Sequence, residues 1–135
     1  MILLNSLFYL RKLQREEEEI HAVLGINAGH EILTGHFPGF PVMPGVCMMQ
    51  IVREVFDEAT GISARIVKGD NMKFLAVLDP GKHSEVKLNI IYKAVDSAFE
   101  IVASLISMEA EPATGVPITF FKFKGIYRAG SSFVQ

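Results

Sequence analysis

Between Pro44-Gly45 and Thr60-Gly61 lies the one strongly helical pattern of the chain, and the segments around it alternate as strands do. Val46, Met49, Val52 or Arg53, and Phe56 recur at helical spacing, and Val55 and Ala59 widen the stripe. The spacing predicts a helix over about residues 46–58, opened by the proline and stopped by Gly61, since glycine is favoured just past a helix end. Apolar residues occupy more than one of its faces, so this helix is expected to be surrounded. The apolar start at residues 1–10 reads as a first strand, and residues 20–26 as a second. Further strands are expected over residues 66–78, around Val86 to Tyr92, over 99–108 and over 118–127. Turn residues such as Asp79-Pro80-Gly81, Pro112 and Gly115 separate them. A single early helix among so many strands implies an α+β fold, a curled antiparallel β-sheet wrapped around the helix. A doubly wound α/β sheet needs several helices and is excluded.

Composition narrows the function. The chain has 135 residues, half of them hydrophobic, which suits a single domain over 1–135. A net charge of −2 gives no broad attraction to nucleic acid or to an anionic membrane. No apolar run is long enough to span a bilayer, and Arg11 and Lys12 follow the N-terminal apolar run instead of preceding it as in a leader. Cys47 is the only cysteine, which rules out an internal disulfide and fits a reducing, cytoplasmic setting. A mean hydropathy of +0.31 is high for a small monomer and points to a subunit interface or an apolar ligand tunnel. Glu16 to Glu19 reads as a solvated turn.

The chemistry concentrates in residues 35–50, Gly-His-Phe-Pro-Gly-Phe-Pro-Val-Met-Pro-Gly-Val-Cys-Met-Met-Gln. Pro38, Pro41 and Pro44 stiffen a turn that carries His36 and feeds the helix. An imidazole titrating near pH ~6.5 is suited to proton abstraction at neutral pH. The amides of Gly45 and Val46, at the helix start, are placed to receive a developing oxyanion.

Gly35 to Val46, including His36, Phe37, Pro38 and Pro44, closely resembles the signature of bacterial β-hydroxyacyl-acyl carrier protein dehydratases. The resemblance extends more weakly through Lys73-Phe74 and Pro80-Gly81 to the strand-rich second half. It implies the hotdog fold, a homo-oligomer (a dimer or a trimer of dimers) with sites at the subunit boundary, and no cofactor or metal. It also implies an acyl carrier protein as the carrier of a 3-hydroxyacyl substrate, which is dehydrated to the trans-2-enoyl thioester. His36 would be the base, Gly45 and Val46 the oxyanion donors, and Phe37, Pro38 and Pro44 part of the motif or tunnel. In such dehydratases a carboxylate stands fourteen residues after the histidine. Here that position is Gln50, and Glu54 occupies the position one turn later, where relatives often carry Gln.

An amide cannot deliver a proton at physiological pH. Three readings follow. Glu54 supplies the acid from one turn deeper, or His36 performs both proton transfers while Gln50 orients the hydroxyl, or the site binds acyl chains without efficient dehydration. A hotdog thioesterase and a non-catalytic acyl-binding or dimer-partner subunit are the alternative functions. His21, His30 and His83 have no such context and read as incidental. Cys47, near a helix N-terminus, is either a thiol with some reactivity or a small core residue, and the latter is the expectation. Phe120, Phe121 and Phe123 read as sheet core, or else as tunnel wall. Arg11, Lys12, Arg15, Lys122, Lys124 and Arg128 are available for an acidic carrier, without any sign in the sequence that they cluster.

Overall fold

A computed structural model describes residues 2–36 and 42–130. Six antiparallel strands form one sheet in the order β1-β2-β4-β5-β6-β3. They are β1 (Phe8–Glu16), β2 (Glu19–Ile26), β3 (Ala64–Phe74), β4 (Glu85–Val95), β5 (Ala98–Ala110) and β6 (Pro117–Ala129). A short helix α1 (Glu31–His36) and the main helix α2 (Gly45–Thr60) lie between β2 and β3. The expected architecture is therefore present, a curled antiparallel sheet around one main helix. Glu17 and Glu18 form the turn between β1 and β2.

Strand alternation makes the core. Val86, Leu88, Ile90 and Tyr92 of β4 point inward with Ile101, Ala103 and Leu105 of β5. From α2, Cys47, Met48, Ile51, Val52, Val55 and Phe56 pack onto this face. The phase differs slightly from the predicted stripe, because Val46 is 74% exposed and Cys47 and Met48 take the inward positions. Phe56 anchors the far end of α2, its ring edge-on to Tyr92, Phe99 and Tyr127 at centroid distances of 5.4, 5.5 and 5.3 Å. Burial pushes the Tyr127 phenol above its ordinary range, and its hydroxyl has no partner among the described residues. The helix ends as predicted. Gly61 takes the left-handed conformation (φ 74°) and returns its N–H to the Asp57 carbonyl at 2.8 Å.

The N-terminal expectation needs correcting. Residues 2–7 are not strand, and β1 begins only at Phe8. The Leu3 carbonyl accepts from the N–H groups of Ser6, Leu7 and Phe8, closing a tight turn in which Asn5 has φ 67°. Leu3 and Leu7 are fully buried, so the apolar run serves the core as a turn and not as a strand. The region before Gly35 carries no clear periodic pattern in the sequence, yet Glu31–His36 forms α1. His30 caps that helix, its Nδ1 accepting the Ile32 N–H at 3.0 Å.

Candidate active site

The site is built around the start of α2. Pro44, extended at φ −64° and ψ 145°, is the N-cap residue and supplies no side-chain cap. Its carbonyl accepts from Cys47 and Met48. The amides of Gly45 and Val46 have no partner among the described residues, leaving two N–H groups at the positive end of a sixteen-residue helix. Gly45 has a specific packing reason to be glycine. A Cβ there would lie 2.7 Å from the Phe74 ring, so a larger residue would have to displace that half-exposed ring for the helix start to sit against β3. From this point an apolar groove of about 660 Å³ opens, lined by Met43, Gly45, Val46, Met49, Phe74 and Val77 among others.

His36 is the last residue of α1, so a short helix and not an irregular turn carries the motif histidine. Phe37 and Pro38 lie outside the described residues.

One turn into α2, Gln50 and Glu54 are joined. Gln50 Nε2 donates to Glu54 Oε2 at 2.7 Å. Glu54 is 7% exposed, and its carboxylate is directed at the N-terminal turn. Leu3 N–H reaches Oε1 at 2.9 Å and Oε2 at 2.8 Å, and Leu4 N–H reaches Oε1 at 2.8 Å. A buried carboxylate without partners would be costly, and these donors are its compensation. The N-terminal amides of Leu3 and Leu4 are part of this site, and no sequence pattern marks them.

The other candidates fall elsewhere. Cys47 points into the core, and burial raises its thiol pKa. His21 sits on the sheet's outer surface, hydrogen-bonded to Asn89 at 2.7 Å and to Glu19 at 3.0 Å. Those bonds, Asn89 first, raise its pKa. His83 packs edge-on against Phe120. No group of three or more His, Cys, Asp or Glu among the described residues could hold a metal ion.

The cationic residues divide between the two sheet edges. Arg11 pairs with Glu85, and Arg15 donates to the Tyr92 hydroxyl, both from β1. At the opposite edge Lys73 stands directly across from Lys122 and Arg65 across from Arg128, with Lys124 between. None of these five has an ion-pair partner among the described residues. Also among the described residues, no helix is long and apolar enough to cross a membrane.

A curled antiparallel sheet around one main helix, with a His-Phe-Pro motif ahead of that helix in the sequence, defines a hotdog protein of the dehydratase type. The chain belongs to the ApeI-like family, described as ApeI dehydratase, which matches residues 12–111. It is 30% identical over 115 residues to the 3-hydroxyacyl-[acyl-carrier-protein] dehydratase FabZ of Bacillus cereus, covering 78% of each chain. It is 28% identical over 95 residues to an uncharacterized thioester dehydrase of Halalkalibacterium halodurans, covering 64% of this chain and 61% of that protein. In fold it is similar to the dehydratase heterocomplex ApeI:P from Xenorhabdus doucetiae, with a TM-score of 0.66 at 16% identity over 88% of this chain and 96% of that one.

Proposed function

We propose that this protein dehydrates 3-hydroxyacyl groups carried by an acyl carrier protein, giving the trans-2-enoyl thioester, in the cytoplasm and in fatty-acid or related lipid or polyene synthesis. The observation that carries the reading is the family's motif histidine, nine positions ahead in sequence of a helix whose first two amides have no partner among the described residues, at the mouth of an apolar groove. In this reading the thioester carbonyl sits against the Gly45 and Val46 amides, which stabilise the enolate charge as the C2 proton leaves. His36 takes that proton. Phe37 and Pro38 belong to the same sequence motif, and Pro44 sets the direction of the helix start.

The geometry around Glu54 bears on the second proton. Its oxygens are engaged by three backbone contacts and by Gln50, which favours the reading in which His36 returns the proton to the leaving hydroxyl. Gln50 then orients that hydroxyl, and Glu54 is not the acid.

The apolar edge strand supports an assembly. Edge strands of soluble proteins are usually blunted by charge. β1 is so blunted, but the β3 edge and the segment after it expose Met72 (42%), Phe74 (53%), Leu75 (54%) and Val77 (69%). A second copy of this chain seated there would close the groove. The Lys73–Lys122 and Arg65–Arg128 pairs place like charges opposite each other, at a cost to the isolated sheet that an acidic carrier would offset.

Incubation with a 3-hydroxyacyl carrier substrate and mass spectrometry tests the reaction. Loss of water is expected, and release of free acid would instead indicate a thioesterase. His36→Ala should lower turnover by about 10²–10⁴-fold. Full turnover by that variant would remove the proposed base.

A further inference from the structure

Glu54 is a buried charge whose partners are described atom by atom and for which the reaction above has no use. Both of its oxygens accept hydrogen bonds, from Leu3 N–H, Leu4 N–H and Gln50 Nε2, at 2.7 to 2.9 Å. A carboxylate oxygen facing the Gln50 oxygen at such a distance would be repelled, so the chemistry of the pair settles which end of the amide turns toward Glu54. The two backbone amides also fix the plane of the carboxylate. It cannot turn to follow Gln50, so Gln50 must follow it.

We infer that Glu54 is a positioning residue, locked by the Leu3 and Leu4 amides, that holds Gln50 with Nε2 turned back along the helix and Oε1 turned away, presenting an acceptor to the substrate. The inference rests on the dehydration reading above. An amide oxygen has two lone pairs and can accept the 3-hydroxyl hydrogen in addition to another donor. With that hydrogen given to Gln50 Oε1, the hydroxyl oxygen keeps its lone pairs for the imidazolium of His36. The C2–H bond breaks and its proton moves to the imidazole, while its electron pair becomes the C2=C3 bond. The C3–O bond breaks as the same proton passes to the departing oxygen, water leaves, and the imidazole is neutral again. Gln50 and Glu54 exchange no proton. In the reverse orientation Nε2 would donate to the lone pair that the imidazolium needs.

A double-mutant cycle tests this on the full chain with the carrier-bound substrate. Glu54→Gln keeps the shape and an acceptor for the N-terminal amides, but its own NH₂ then faces Gln50 and turns that amide round. It should lower kcat by about tenfold or more while KM stays within about twofold. In a Gln50→Met background the same change should cost no further kcat, because the residue it acts through is gone. The reciprocal swap, Gln50→Glu with Glu54→Gln, restores a donor–acceptor pair and should recover kcat to within about threefold of the native chain. Unchanged kcat in Glu54→Gln, or an equal loss in both backgrounds, overturns the positioning role. If Glu54→Gln does not fold, the swap decides, and a loss beyond about tenfold there overturns the inference. A native chain that turns over no 3-hydroxyacyl thioester overturns the reaction itself, whereas the other results leave the reaction standing.

Discussion

At the scale of single residues, Cys47 shows how two opposing effects are decided by side-chain direction. The first turn of a helix lowers a thiol's pKa, and burial raises it. Cys47 is in the first turn but only 4% exposed, and burial wins. Iodoacetamide at pH 8 should therefore alkylate Cys47 at least about tenfold more slowly than the same chain unfolded in urea. Equal rates would show that the thiol is accessible. The sequence offered both outcomes because the helical stripe was phased from Val46. The inward face begins one position later, a matter of how Pro44 and Phe74 seat the helix, which no periodicity records. His36, Gly45 and Gln50 could be named as candidates from their places in one contiguous motif. The hydrogen-bond partners of Glu54 could not, since Leu3 lies 51 residues away and contributes an amide that every non-proline position has.

Elements were legible where the chain carries its own punctuation. Pro44-Gly45 and Gly61 bounded α2 to within two residues, and alternation found β2, β4, β5 and β6. Misreadings came where short-range signals conflicted. Residues 2–7 are apolar enough for a strand, but Asn5 in the left-handed region turns them. The segment containing Gly29 and Gly35 reads as loop, yet it holds the six residues of α1. β3 is the element whose surface matters most. Phe74→Lys with Val77→Lys should convert an assembled protein into a monomer in sedimentation velocity, since each charge would be buried without a partner. A native chain that already sediments as a monomer at micromolar concentration would remove the proposed edge contact.

For the whole molecule, α2 and the sheet meet through one aromatic hub. Phe56 is fully buried and touches rings from β4, β5 and β6. Phe56→Ala should cost about 3–5 kcal/mol in urea-melting experiments, because a stiff sheet cannot collapse into the space of a lost ring. A cost below about 1 kcal/mol would mean that the sheet closes around the gap. The same stiffness has a consequence at the other end of the helix. Phe74 is at once an exposed residue of the β3 edge and the ring on which Gly45 rests. A neighbour that grips this edge also steadies the two amides at the helix start. Association and chemistry would then share one side chain, and the specific activity of this protein would fall on dilution even while every chain stays folded.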